Sequence, residues 1–195
     1  MLDEADVYNC IAFFTFLDIN KKEQHPFTIS SSPSEENLRI TVKGLGDYTN
    51  NLAEKLSKDN TAKVEGPFGL FTQKNIKEEN QVWIGGGIGI TPFLSLSKES
   101  SNRKVTLYWC VNNSNEAVYA KELEETVKNN QNLEVIIWES KDKGYLSIDK
   151  MDIDNFSTTA FLICGPEPLK QSIFKQLKQQ KVKSSQIHDE EFAFR

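Results

Sequence analysis

The run Gly85-Gly86-Gly87-Ile88-Gly89-Ile90-Thr91-Pro92 restricts this chain more than any other segment, because four glycines in five positions directly follow the apolar stretch Val82-Trp83-Ile84. A buried strand that runs through such a loop into a helix is the arrangement that meets ligands at the strand ends of a doubly wound sheet. Glycine has no Cβ, so backbone N–H groups there could approach a pyrophosphate closely. Thr91 stands where it could cap the helix, and Pro92 suits a first turn, where no amide donor is needed. Gly86, Gly87, Ile88, Gly89, Thr91 and Pro92 are therefore candidate nucleotide contacts. A tight strand-to-helix turn is the plainer alternative, but it needs fewer glycines. The loop is not the usual dinucleotide fingerprint: counted from Gly85 or Gly87, the last glycine of G-x-G-x-x-G is missing, and no acid lies in Trp109-Cys110-Val111-Asn112-Asn113, at the end of the second strand.

The flanking pattern places the loop in a sheet. Val82–Ile84, Val105–Trp109, Leu133–Trp138 and Ala160–Ile163 read as strands, with helical stretches near 92–100, 116–129 and 167–181 between them. Strands buried on both faces and separated by helices imply a parallel sheet with right-handed crossovers. Before residue 75 the chain is β-rich, with strands expected over 10–19, 27–32, 37–43 and 61–65 and one helix from Tyr48 to about Ser57, where Leu52 and Leu56 share a face. The polar, aperiodic segment Phe71 to Asn80 is the expected boundary between a first unit over 1–75 and a second over 76–195.

Composition narrows the class. With 23 basic and 28 acidic residues and no block of either sign, the chain lacks the basic face that nucleic acid requires. Cys10, Cys110 and Cys164 lie far apart with no CxxC or Cys/His spacing, so neither a zinc site nor a disulfide framework is expected, which fits a reducing, cytoplasmic setting. The longest apolar stretch, Cys10 to Leu17, is well short of the roughly 20 residues that cross a bilayer. Met1-Leu2-Asp3-Glu4 carries acids where a signal peptide needs basic residues.

Three further motifs stand in order with the loop: His25-Pro26-Phe27-Thr28-Ile29-Ser30-Ser31, Gly66-Pro67-Phe68-Gly69 and Cys164-Gly165-Pro166. Together the four resemble the ferredoxin-NADP reductase superfamily, and particularly its NADPH-oxidase and ferric-reductase branch. The resemblance implies a partial antiparallel FAD-binding β-barrel followed by a doubly wound parallel-sheet NAD(P)-binding domain. It implies that hydride passes from NADPH or NADH to FAD and that single electrons then leave for an acceptor outside the chain, a haem-bearing transmembrane domain. In a longer chain, the unit would stand at the cytoplasmic face of the membrane.

By the same resemblance, Phe27 would lie against the isoalloxazine and Thr28 would hydrogen-bond near N5, with His25, Pro26, Ser30 and Ser31 around the flavin and its phosphates. A flat ring suits a flat apolar cofactor, and a hydroxyl can donate or accept as N5 changes protonation. Gly46, Tyr48 and Thr49 open the helix expected to receive the FAD pyrophosphate, and Gly66, Pro67, Phe68 and Gly69 border the flavin. Cys164, Gly165 and Pro166 would face the nicotinamide, and Phe192 or Phe194 would stack on the flavin and move aside for it. Thr28, Cys164 and Phe192 are thus the candidate catalytic residues. No metal site is expected.

Two departures qualify the resemblance. Only the second half of the flavin barrel is expected here, its first strands lying before Cys10, so the chain reads as a fragment or as a domain standing without them. Relatives that take NADPH place an arginine where Asn112, Asn113, Ser114 and Asn115 stand here. That leaves the choice of nicotinamide open, with NADPH favoured by the family branch alone. A soluble reductase feeding an iron-sulfur protein or oxygenase, a truncated nucleotide-binding module without redox activity, and a plain α/β scaffold remain alternatives.

Overall fold

A computed structural model describes residues 11–17, 19, 23–69, 71–73, 76–99 and 102–190. The first unit contains β1 (Ile11–Phe16), β2 (His25–Thr28), helical turns α1 (Asp47–Asn50) and α2 (Leu52–Lys55), and β3 (Ala62–Phe68), with an antiparallel sheet in the order β2-β1-β3. Ala12, Phe14, Phe16, Ile29 and Leu52 form its small core.

Two sequence expectations change here. The strand expected over 27–32 shifts back to β2 (His25–Thr28), and what remains of it beyond Thr28 and of the strand expected over 37–43 is a bridge between Ile29 and Ile40. The Ser30 N–H donates to the Arg39 carbonyl at 2.7 Å, while the Ser31 hydroxyl accepts from the Arg39 N–H at 2.9 Å. A serine side chain thus replaces a ladder partner, the local competition that disfavours regular strands. The helix expected from Tyr48 to Ser57 breaks at Asn51, whose backbone leaves the helical region and whose Nδ2 donates to the Asp47 carbonyl. Leu52 is buried but Leu56 is 38% exposed, so the expected i, i+4 face is only half used.

The second unit holds β4 (Asn80–Gly86), α3 (Thr91–Leu96), β5 (Lys104–Val111), α4 (Ala120–Asn129), β6 (Leu133–Glu139), α5 (Ser140–Lys143), β7 (Thr159–Cys164), α6 (Glu167–Gln179) and β8 (Ile187–Asp189). All five strands are parallel, in the order β6-β5-β4-β7-β8. The period-2 alternation sends Trp83, Leu107, Trp109 and Leu162 to one face with Phe93 and Leu123, and Val82, Ile84, Tyr108 and Ile163 to the other with Ile173 and Leu177. β8 was not expected: three half-polar residues carry no strand pattern, and only the register of Phe161 with Ile187 reveals it.

The chain enters at the central strand β4, walks outward to β6, and then crosses back to β7. Its topological switch point lies between β4 and β7, where strand ends leave a crevice. The segment joining the units packs against the second: Phe71 and Ile76 are buried in its core, and the Phe71 ring meets Phe93 edge-on at 5.7 Å. Arg39 donates to both oxygens of Glu122 on α4 at 2.9 and 2.7 Å, and Lys98 reaches Glu122 at 2.7 Å and Glu35 at 3.0 Å, tying the units together. Among the described residues, no helix is long and apolar enough to cross a membrane.

Candidate functional site

A cleft of about 460 Å³ opens over the C-terminal ends of β4, β5 and β6, running from Gly86 and Gly87 past Cys110 and Asn112 to Trp138 and Ser140, with Pro166 and Leu169 as its wall. Its floor is made by two loops that interlock. A Cβ on Gly89 would sit 2.3 Å from the Cys164 carbonyl oxygen, and one on Gly165 would sit 2.9 Å from the Gly86 Cα. Gly86 itself has Pro166 and Leu169 at 2.7 Å from its Cβ position. These glycines serve the approach of the loop after β4 to the loop after β7, rather than the expected clearance for a ligand. Gly87 alone in the run has a left-handed φ, +54°, and its Cβ position faces open space toward the Lys43 Nζ, 4.0 Å away. Trp109 Nε1 donates to the Gly87 carbonyl at 3.0 Å and holds that conformation.

The helix begins earlier than expected, as a 3-10 turn over Gly87–Ile90 that continues into α3. Thr91 is consequently inside the helical run, buried, with its hydroxyl donating to the Ile88 carbonyl at 3.0 Å, and is not the cap. Pro92 does occupy the first turn of α3. Cys164 ends β7 with no exposed surface, and burial pushes its thiol well above the ordinary range, so it stays neutral. Pro166 is the residue from which α6 starts.

Toward the first unit, a smaller cleft of about 270 Å³ joins the same loop, shared through Lys43, Gly87 and Glu116 and walled by Thr41 and Tyr119. Thr28 is 4% exposed and its hydroxyl has no partner among the described residues, and neither has the buried Tyr48 hydroxyl. A buried hydroxyl left without a partner is costly, which marks both as groups awaiting one. Phe27 is half-buried against Phe14, at 6.0 Å between centroids. His25 stacks on Tyr48 with ring centroids 3.4 Å apart, and its Nε2 lies 3.3 Å from Glu23. Pro26 pairs with Phe13 in the sheet.

Other expected contacts are engaged within the protein. Ser30 Oγ lies 3.1 Å from the Thr41 hydroxyl and Ser31 Oγ is held by Arg39. The Thr49 hydroxyl accepts from the Leu45 N–H at 2.9 Å and the Gly46 N–H at 3.2 Å, closing the turn that leads into α1. Because α1 is a single turn of four residues, the long helix expected to face a pyrophosphate is not there. Gly66 packs on Ala12, Pro67 lies within β3, Phe68 is half-exposed at the end of β3, and Gly69 adopts φ +109°. Phe192 and Phe194 fall outside the described residues.

Two residues that sequence reading passed over line the site, and a third, Glu190, is a buried acid after β8. Lys43 reaches over Gly87 from the first unit. Glu116 ends a 3-10 turn after β5 and folds back so that Asn112 Nδ2 donates to its carboxylate at 2.8 Å. That bond, with the nearby Lys43 charge, holds the Glu116 carboxyl below the ordinary range. Glu190 follows β8, is 5% exposed, and has neither carboxylate oxygen paired among the described residues; burial raises its pKa to about 8. Lys170 nearby is taken by Asp189 at 3.2 Å and Glu167 at 3.4 Å.

Comparison with known proteins agrees with this geometry. Residues 83–175 match the model of the oxidoreductase NAD-binding domain. The chain is 32% identical over 102 residues to NADPH oxidase 1 of Mus musculus, covering 45% of this chain and 17% of that protein. It is 32% identical over 141 residues to the chloroplastic ferric reduction oxidase 7 of Arabidopsis thaliana, covering 56% and 19%. The chain thus spans under a fifth of the length of these curated relatives. In fold it resembles the flavohem-like FAD/NAD binding domain of nitric oxide dioxygenase from Vibrio cholerae, with a TM-score of 0.77 over 95% of this chain and 84% of that one, at 22% identity.

Proposed function

We propose that this chain, whose residues 83–175 match the oxidoreductase NAD-binding domain, belongs to the ferredoxin-NADP reductase superfamily and works as a flavin-dependent NAD(P)H dehydrogenase unit. The observation that carries this reading is the Gly87 loop with a lysine of the first unit facing it, and the first unit itself holds the buried, unpartnered Thr28 hydroxyl. The residues present fit FAD, because a buried hydroxyl without a partner beside a half-buried phenylalanine is what a polar, planar ring edge would satisfy. Bound FAD would supply the two-electron acceptance from nicotinamide and the one-electron release that no side chain offers.

The chain's own part is binding and orientation. The Gly87 loop and Lys43 hold the dinucleotide's phosphates, the lysine supplying a positive charge next to exposed backbone. Thr28 would meet the ring edge of the flavin, and Phe27 would cover an apolar part of it. Cys164, desolvated and neutral, shapes the nicotinamide end without ionising, and Gly165 and Pro166 hold that end against Gly86. Phe192 or Phe194, both outside the described residues, would cover the flavin face that nicotinamide takes. Orientation of two rings at close range is the main contribution a protein makes to such a transfer. The units are assigned as 1–75 for flavin and 76–195 for nicotinamide.

The acceptor in this reading is a haem-bearing transmembrane domain outside this chain, with the present unit at the cytoplasmic face of the membrane, a reading supported by the relatives named NADPH oxidase and ferric reduction oxidase. The test is anaerobic mixing of the FAD-loaded protein with NADH or NADPH while flavin absorbance is followed. Bleaching by either nucleotide is expected; failure of both to reduce bound flavin would refute the dehydrogenase reading.

A further inference from the structure

We infer that this chain selects NADH over NADPH, with the Glu116 carboxylate at the end of β5 rejecting a 2′-phosphate. The inference rests on the nicotinamide reading above and specifies which dinucleotide that site takes. Of the two clefts that meet at Gly87, the larger runs across Cys110 and Asn112 toward Trp138, and a nucleotide that follows it passes its adenosine ribose by the end of β5. This is where a doubly wound sheet places the group that reads the ribose hydroxyls.

The group found there is acidic. Asn112 Nδ2 donates to Glu116 Oε1 at 2.8 Å, which fixes the carboxylate at the cleft, where Glu116 lies on the lining. A carboxylate only accepts hydrogen bonds, so it can take a ribose 2′-hydroxyl but meets a phosphate with no donor and with like charge. No acid stands in Trp109–Asn113 at the end of β5, yet the 3-10 turn over Ser114–Glu116 returns one to the same place.

Two lysines stand near the β5 end, and neither has the planar fork that grips a phosphate in two bonds: Lys43, at Gly87 on the pyrophosphate side, reaches Glu116 with its charge, and the Lys141 N–H donates to the Asn112 carbonyl at 3.1 Å. Lys143 and Lys150 lie over the Trp138 ring at 5.2 and 5.5 Å, and Lys150 also donates to the carbonyls of Lys143 and Tyr145. The two arginines among the described residues are engaged elsewhere, Arg39 on Glu122 and Arg103 on the Ile76 carbonyl. A bidentate arginine grip on a 2′-phosphate is therefore not built among the described residues.

The test is calorimetric titration of the purified chain with NAD+ and with NADP+, repeated for Glu116→Gln and Glu116→Ala. The glutamine variant keeps an acceptor for Asn112, so the turn after β5 stays closed. NAD+ is expected to bind about tenfold tighter or more, and both substitutions are expected to bring the two affinities within about threefold. Equal or tighter binding of NADP+ to the unaltered protein would overturn the inference while leaving the nicotinamide reading intact. An NAD+ preference that survives both substitutions would remove Glu116 as its cause. Binding of neither nucleotide at millimolar concentration would overturn the inference together with the reading beneath it.

Discussion

Glu190 couples the stability of this fold to pH in a direction opposite to that of an ordinary surface carboxylate. Its carboxyl is 5% exposed, both oxygens lack partners among the described residues, and burial raises its pKa from 4.5 to about 8. In the unfolded chain the group ionises near pH 4.5, whereas in the folded chain it keeps its proton until about pH 8. Between those values the unfolded state binds fewer protons, so stability falls as pH rises, by ~1.4 kcal/mol per pH unit. Over about 3.5 pH units the loss reaches roughly 5 kcal/mol, comparable to the whole stability of a small domain. Glu190→Gln removes the titration but keeps the shape. Urea denaturation of both proteins from pH 4 to 9 should show no pH trend in their difference below pH 4.5. From there the variant should gain steadily over the parent to about pH 8 and then level off. A difference that stays flat across the whole range, or that shrinks with rising pH, would refute the claim that the folded protein holds this carboxyl neutral.

Three further outcomes follow from the geometry. Gly89→Ala should destabilise the protein by about 2–3 kcal/mol in urea, because a Cβ there meets the Cys164 carbonyl oxygen at 2.3 Å and two backbones must part; an unchanged midpoint would mean that the loops are not interlocked. Arg39→Met should cost about 1–2 kcal/mol and should not add to Glu122→Gln, since the two groups share one bidentate pair; additive losses in a double-mutant cycle would show that the pair is idle. Thr28→Val should make the flavin-free protein more stable by about 1 kcal/mol, because it removes a buried hydroxyl that has no partner among the described residues, while slowing flavin reduction by nicotinamide; a stability loss without a rate effect would assign the residue to packing.

How much of this was open to a sequence reader depends on the range of the physics involved. The alternation through Val82–Ile84, Val105–Trp109, Leu133–Trp138 and Ala160–Ile163, and the helices between, express periods of 2 and 3.6 residues that are set within a few positions. They sufficed for a parallel sheet with a glycine loop at its central strand, and for the β-rich unit before it. Local side-chain chemistry already blurred that reading at Ser30, Ser31 and Asn51, where side chains bond to backbone groups that a strand or helix would otherwise use.

What the chain by itself determined is therefore the class of fold and the place of the loop. Only the tertiary structure decided which atoms face the cleft and why. Gly89 and Gly165 are explained by each other's neighbouring backbones, which meet because β4 and β7 are adjacent in the sheet although far apart in the chain. Glu116 returns to Asn112 through a turn whose direction no periodicity encodes, and Glu190 becomes a proton-holding group because β8 carries it into the protein interior beside β7. Burial, unpaired hydroxyls and shifted acidity are properties of how distant segments close on one another, and a pattern read along one dimension carries no record of that closure.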